Sequence, residues 1–148
     1  MTIGRLRYAV ILAVTLASAN AMALEFRSVT EPAAILYDAP SSKAQKVFIL
    51  SQGYPVEVVV KLEGWTKVRD DTGEFAWIEN SHLSDRRTVM VKVASAEARQ
   101  AANENSAVVF TAEKSVFLEV VDMAVGWAKV RHHDGAIGFI KVSQLWGL

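Results

Sequence analysis

The chain of 148 residues contains no cysteine. No disulfide can therefore staple the fold, no N-terminal cysteine of a mature chain can carry a lipid, and no thiolate can bind zinc or act as a nucleophile. Each folded unit must be stable through its packing alone.

The chain also lacks an excess of charge of either sign. It has 16 basic and 16 acidic side chains, and the basic ones do not cluster, so the composition gives no support for nucleic-acid binding. No serine lies in a Gly-x-Ser-x-Gly elbow, and the glycines are too scattered for a phosphate-binding loop. We therefore expect a protein that is not an enzyme and needs no cofactor.

The N-terminus predicts export. Arg5 and Arg7 precede a mostly apolar run over 8–17, which is too short for the roughly 20 residues that span a bilayer. Ala21-Met22-Ala23 then offers a small-residue cleavage site. Residues 1–23 are thus predicted to be a secretory signal peptide, with an uncleaved membrane anchor as the alternative. After cleavage we expect a periplasmic or secreted protein without a membrane span.

The mature part of the chain matches itself when it is shifted by 62 residues. Gly64-Trp65-Thr66-Lys67-Val68-Arg69 falls on Gly126-Trp127-Ala128-Lys129-Val130-Arg131, and 14 of the 37 positions from Val47 to Leu83 are identical without a gap. A repeat this dense indicates one small module used twice. A module of about 60 residues is marginal alone, so we expect the two copies to share an interface.

Short β-branched and aromatic runs, separated by turn signals, predict an all-β fold of two small barrels in tandem. The first domain is predicted over 24–87 and the second over 88–148. Segment 94–103 is rich in helix-forming residues, but the repeat register places it opposite a strand and a loop, and we follow the register. The predicted strands are 33–37, 47–50, 56–62, 65–69 and 75–79, then 88–93, 107–112, 117–122, 127–131 and 136–141.

The repeated residues resemble the bacterial SH3 family. Gly64-Trp65-x-Lys67-Val68-Arg69, the glycine turn at Gly73 and the element Ala76-Trp77-Ile78 carry the likeness, and Gly138-Phe139-Ile140 repeats the last element. One subgroup, short exported proteobacterial proteins with two such domains, is resembled by the stretch Tyr54-Pro55-Val56-Glu57-Val58, the link over 83–88 and the ending over 144–147. The resemblance implies barrels of five to six strands that act as cell-wall targeting, binding or adaptor modules.

Two positions depart from the family pattern. Ala76 stands where glycine is usual, and Glu97-Ala98-Arg99 stands where an apolar first strand is expected. We therefore expect the first strand of the second copy to be irregular.

Strand alternation separates an inner from an outer face. Successive side chains point to opposite faces, so Val68 and Val130 are predicted to face the core. Aromatic rings and cations then share the outer face, which suits an extended peptide or a carboxylate-bearing glycopeptide. The predicted ligand-binding residues are Trp65, Lys67, Arg69, Trp77, Trp127, Lys129, Arg131 and Phe139. Alternatively, the same residues close the barrels or pack between the copies.

Two apparent motifs indicate turns instead of chemistry. Asp71-Thr72-Gly73 spells the aspartic-protease tripeptide, but it follows charged residues and corresponds to His133-Asp134-Gly135 in the second copy. His132 and His133 have no further ligand nearby in the sequence to complete a zinc site. No metal site is predicted.

Together these features predict an exported binding protein of the cell envelope. Its partner would be a peptidoglycan peptide or an extended peptide segment. The alternative is an adaptor that binds an envelope protein through a surface unrelated to the tryptophans.

Overall fold

The computed structural model describes residues 23–148. The predicted signal peptide lies outside the described residues, except for Ala23. Within the described part, no helix is long and apolar enough to cross a membrane.

The first copy consists of seven strands and one 3₁₀ turn. Its elements are β1 (Phe26–Val29), β2 (Ala33–Tyr37), β3 (Lys46–Ser51), β4 (Pro55–Lys61), β5 (Trp65–Arg69), β6 (Phe75–Glu79), a 3₁₀ turn (Asn80–His82) and β7 (Leu83–Ser84).

The second copy repeats this order, and each of its elements begins 62 residues after its counterpart, as Thr88 follows Phe26. Its elements are β8 (Thr88–Val91), β9 (Ser95–Arg99), β10 (Val108–Glu113), β11 (Phe117–Ala124), β12 (Trp127–Arg131), β13 (Ile137–Lys141), a 3₁₀ turn (Val142–Gln144) and β14 (Leu145–Trp146).

The strands form two separate antiparallel sheets, one in each copy. The first has the order β3-β2-β6-β5-β4-β1-β7 and the second the order β10-β9-β13-β12-β11-β8-β14. The prediction of an all-β fold with two tandem SH3-like barrels is confirmed. The strand count exceeds the expected five to six partly because the two-residue strands β7 and β14 pair with β1 and β8.

Segment 94–103 follows the repeat register, as predicted, and contains a strand instead of a helix. Its strand β9 is no more irregular than β2, because both copies carry one extra residue in the next strand, Val47 in β3 and Val109 in β10. Ala98 packs closely against β13, where a Cβ on Gly138 would lie 2.8 Å from the Cβ of Ala98. The pairing of β9 therefore does shift register, as expected, but the shift is shared with β2 and is not peculiar to the second copy. The small residues Ala98 and Gly138 let β9 and β13 approach each other.

The inner face of each barrel is as the alternation predicted. Val68 and Val130 are 1% and 0% exposed, and Ile78 and Ile140 are both fully buried. On β5, β6, β12 and β13 the side chains at the alternate positions, which point away from the core, are partly or largely exposed. Each barrel therefore has its own apolar core, and the aromatic and cationic side chains lie outside it.

The indole of Trp146 joins the two copies. Its Nε1 donates a hydrogen bond to the carbonyl oxygen of Pro55 at 3.3 Å, and its ring meets Phe26 edge-on with the centroids 5.3 Å apart. The guanidinium of Arg69 lies 5.7 Å from the same ring. The last strand of the second copy therefore packs against the first copy, as the marginal size of each module led us to expect.

Two further contacts close this junction. Gly147 has a φ of +111°, and a Cβ there would lie 2.8 Å from the carbonyl oxygen of Thr88 and 3.0 Å from the Cβ of Pro55, so only glycine fits. The rings of Tyr54 and Phe117 meet with their centroids 5.5 Å apart. The junction is thus a packed interface and not merely a flexible link.

Replacing Trp146 by Ala should destabilise the protein through the junction and not through either core. We expect the free energy of unfolding to fall by about 2 kcal/mol, less than for a fully buried tryptophan because the ring is only half-buried. Urea unfolding followed by circular dichroism measures the change. Val125→Ala is the control, since Val125 is fully exposed and its loss should change the value by less than about 0.5 kcal/mol. An unchanged urea midpoint for Trp146→Ala would contradict the role of the ring.

Candidate functional site

The outer face of the first copy carries a ladder of aromatic rings and one lysine. Lys67 lies directly opposite Trp77 in the sheet, and its Nζ is 5.4 Å from the centroid of the Phe75 ring. Trp65 meets Tyr37 edge-on at 5.4 Å. Tyr37 is only 8% exposed, so its ring is itself firmly packed. It therefore fills the space on one side of the Trp65 indole. This face offers apolar contact area with one nearby cation.

The second copy repeats the lysine and the aromatic ring. Lys129 lies opposite Phe139, and its Nζ is 5.8 Å from the centroid of that ring. Trp127 has a different neighbour from its counterpart Trp65, because the Nζ of Lys141 lies 5.9 Å from the centroid of its ring. Two lysines therefore lie over aromatic rings on this face, whereas one does so in the first copy.

The two predicted arginines lie at the end of β5 and of β12 that is farther from the tryptophan. There each arginine is paired with a carboxylate. Arg69 donates from its Nε to Oε2 of Glu57 at 2.7 Å and also packs on Trp146. Arg131 donates from its Nη1 to Oε2 of Glu119 at 3.1 Å. Four residues of strand, about 13 Å, separate each arginine from the tryptophan on the same strand. The structure therefore separates the predicted residues into a tryptophan end and an arginine end.

A cleft of about 520 Å³ opens beside Trp127 in the second copy. Two pairs of opposite charge line it. Arg99 is bound to Glu97, and the Nζ of Lys141 is bound to Glu104. These four charged side chains were not predicted as site residues. Alternation along β9 and β13 could have indicated three of them, whereas Glu104 comes from a loop.

The corresponding face of the first copy has a different chemistry. The repeat register replaces Glu97 by Ile35 and Arg99 by Tyr37. The charged cleft is therefore a property of the second copy. In the first copy Glu79 corresponds to Lys141 and lies opposite Trp65, so the equivalent surface is more aromatic and carries a charge of the opposite sign at this position. The two outer faces share their tryptophan but do not offer the same contacts.

Lys141 affects the ionisation of Glu104, the carboxyl that it contacts in the cleft. Its ammonium group donates a hydrogen bond to Glu104, and this bond, together with the positive charge, lowers the pKa of that carboxyl below its ordinary value. The carboxylate and the ammonium group thus neutralise each other at neutral pH. A charged ligand would have to compete with this pair.

The two apparent motifs lie in turns. Asp70 Oδ1 accepts hydrogen bonds from the backbone N–H groups of Thr72 and Glu74, both at 2.9 Å, and Gly73 has a φ of +93°. The interpretation of Asp71-Thr72-Gly73 as a hairpin turn is confirmed. Within residues 23–148, no group of three or more His, Asp or Glu side chains is placed to hold a metal ion.

The fold is that of two SH3-like barrels in tandem, each with a tryptophan on its outer face. The chain belongs to the bacterial SH3 domain family, whose model matches it twice, at residues 30–85 and 92–147. The predicted family is thus confirmed over both copies. No curated protein matches the chain.

Solved structures with a similar arrangement include three proteins of distant sequence. NlpC2 and NlpC1 from Trichomonas vaginalis are 18% and 20% identical, cover 84% and 91% of this chain and 48% and 50% of their own, and each has a TM-score of 0.36. An NlpC/P60 family protein from Bacillus cereus is 14% identical and covers 82% of this chain and 56% of its own, with a TM-score of 0.39. The chain spans about half the length of these proteins.

Removing the charge of Lys141 should release Glu104. In Lys141→Gln we expect the pKa of the Glu104 carboxyl to rise toward its ordinary value, because both the hydrogen bond and the positive charge that lower it are lost. The sign follows from the lowered pKa: the pair is intact above the ordinary carboxyl range and is lost as the pH falls through the lowered value. A carbon-detected NMR titration of the glutamate carboxyls measures it.

Lys43→Gln is the matched control for this titration. It removes the same charge from an exposed loop position of the first copy and should leave Glu104 unchanged. If the Glu104 pKa were the same in Lys141→Gln and in the unmodified protein, the pairing across the cleft would be wrong.

Proposed function

We propose that this protein is a non-enzymatic binding module of the cell envelope that recognises a peptidoglycan stem peptide or a similar extended peptide. The charged cleft beside Trp127 is the observation that carries the proposal. Membership of the bacterial SH3 domain family supports it. The proposal includes export by the predicted signal peptide, a periplasmic or secreted location, and domains over 24–87 and 88–148.

The chemistry of the cleft suits a short peptide with free charges. An indole offers rigid, flat contact area at a small cost in conformational entropy. Arg99 supplies one cation, although its Nη1 donates to the carbonyl oxygen of Ser106 and its Nη2 is bound to Glu97, and Lys141 supplies a second cation. Glu97 and Glu104 can accept hydrogen bonds from an amine. Stem peptides carry carboxylates and amines along a short extended chain, so they match both signs of charge.

The ion pair between Lys141 and Glu104 does not prevent such binding. The Lys141 and Glu104 side chains are 41% and 68% exposed, and exposed pairs of this kind contribute only about 0–1 kcal/mol. A ligand carboxylate can therefore take the place of Glu104 beside Lys141 at small cost. The pairs keep the cleft neutral and its side chains positioned until a ligand arrives.

The first copy contributes apolar contact in this proposal. Trp65, Lys67 and Trp77 lie on a face without the charged pairs of the second copy, so they suit an apolar part of a ligand. Lys129 and Phe139 extend the surface beside Trp127. Arg69 and Arg131 remain predicted ligand-binding residues, although each is paired with a carboxylate in the structure.

The chemistry of the cleft supports the proposed binding role. Among the described residues that line it, there is no histidine or cysteine, so Ser95 has no imidazole at hand to activate it. The tryptophan, the two cations and the two carboxylates can hold a ligand in place.

The difference between the two outer faces favours one alternative. A repeated polymer would be expected to meet two matched faces, whereas a single asymmetric surface suits a protein partner. The alternative function is therefore an adaptor that binds an envelope protein, and the asymmetry between Arg99 and Tyr37 is the observation that favours it.

Co-sedimentation with isolated peptidoglycan sacculi tests the proposal. The purified chain without residues 1–23 should pellet with sacculi saturably, at low and at moderate salt. Trp127→Ala should weaken this binding about tenfold, which corresponds to the loss of about 1.4 kcal/mol of ring contact. Trp65→Ala should weaken it less, and the double variant should bind least.

Lys141→Gln and Lys43→Gln form a matched pair in the same experiment. Both remove one positive charge, but only Lys141 lies in the cleft, so only its loss should weaken binding. A folded double tryptophan variant that pellets as well as the unmodified protein would rule out this site. Absence of pelleting at both salt concentrations would leave the adaptor function.

A further inference from the structure

A second depression, a groove of about 300 Å³, lies at the junction of the two copies. Its lining includes Gly53 of the first copy, Arg86 of the link, and Phe117, Arg131 and His133 of the second copy. It shares no lining residue with the cleft beside Trp127. The groove exists only because the copies are joined.

Two guanidinium groups in this groove share a single carboxylate oxygen. Arg86 Nη2 and Arg131 Nη1 lie 2.9 Å and 3.1 Å from the same Oε2 of Glu119. Each guanidinium carries five N–H donors. Among the hydrogen bonds of the described residues, each of these side chains uses one donor, toward Glu119. The cluster has one positive charge in excess and several donors without a protein acceptor.

The first copy shows what this end of the barrel looks like without the extra charge. There Glu57 pairs with Arg69 alone, because the residue that corresponds to Arg86 is Leu24. One arginine is thus sufficient for the structural pair. The second arginine is an addition of the second copy, and the glutamate does not require it.

The turn between β12 and β13, next to the groove, also carries fewer negative charges than the corresponding turn of the first copy. In the first copy the turn carries three carboxylates, those of Asp70, Asp71 and Glu74. The corresponding residues of the second copy are His132, His133 and Ala136, and Asp134 is the single carboxylate. Asp134 accepts hydrogen bonds from the backbone N–H of Ala136 and lies 3.0 Å from Nδ1 of His132, so it is already occupied. The groove has therefore lost negative charge and gained positive charge relative to its repeat.

We propose that this groove binds an oxyanion, a carboxylate or a phosphate, carried by a ligand that lies across the junction. Arg86 and Arg131 hold it with their free N–H donors, since a guanidinium matches the geometry of either anion with two parallel hydrogen bonds. Their side chains are 65% and 43% exposed and can be reached from solvent. Phe117 and Gly53 form the apolar and backbone walls beside the anion.

An NMR titration with small anions tests this site without knowledge of the full ligand. Sodium phosphate and sodium acetate are added in separate experiments to the chain without residues 1–23, with chloride exchanged to hold the ionic strength constant. Saturable shifts are expected at the backbone amides of Gly53 and of residues 131–135. Arg86→Gln should weaken binding about tenfold, the loss expected for one hydrogen bond to a charged group.

Lys43→Gln is the matched control, because it removes one charge from an exposed position outside the groove and should change the dissociation constant by less than about twofold. Arg86 lies in the exposed link, so its replacement keeps both barrel cores intact, and the dispersion of the spectrum checks this. Tighter binding of phosphate would support the site and indicate a phosphate-bearing ligand. Tighter binding of acetate would support it and indicate a carboxylate.

Two results would overturn the site. One is the absence of saturable shifts at these amides with both anions. The other is equal affinity of Arg86→Gln and the unmodified protein. Neither result depends on the cleft beside Trp127, so failure here is distinguishable from failure of peptidoglycan binding.

Discussion

The packing of Trp146 holds the two barrels against each other, and the junction between them depends on it. A module of about 60 residues buries only about 60% of the surface that its unfolded chain exposes, and no disulfide compensates for this. The indole removes apolar surface of Phe26 from water and satisfies the carbonyl of Pro55. Because its counterpart in the first copy is Ser84, this contact can form only once. The two copies therefore differ in how their last strands are used, because only the second packs a tryptophan against the other copy.

The asymmetry follows the alternation of the strands. Positions that point inward keep their character in both copies, as Val68 and Val130 show. Positions that point outward diverge, and Tyr37 corresponds to Arg99. The interior of a small barrel requires mostly apolar side chains, although their volume differs between the copies where buried Leu36 and Leu50 correspond to buried Ala98 and Ala112. The outer face has no such constraint, so one fold can present a mainly aromatic surface in one copy and a charged cleft in the other.

The sequence was sufficient for the parts of the structure that depend on local pattern. The bounds of β5 and β6 were predicted as they occur, because a Gly-Trp start and a glycine turn enclose them. Strand β1 was not predicted: it is four residues long, and only Val29 is identical to its counterpart in the second copy, Val91. Alternation gave the direction of each outward side chain but not its partner. The pairing of Arg69 with Trp146 joins residues far apart in the chain, and no short-range pattern indicates it.

Both proposed sites place a ligand anion beside cations that a carboxylate already contacts. In the cleft, Glu104 occupies the ammonium group of Lys141, and in the groove, Glu119 occupies two guanidinium groups. A ligand anion that replaces or joins these carboxylates gains only the difference between two similar contacts. Its affinity at either place must therefore be modest and sensitive to salt, because exposed charges are screened. The rings of Trp127 and Phe117 supply contact that salt does not screen, so a ligand held firmly at physiological ionic strength must cover aromatic surface as well as charge.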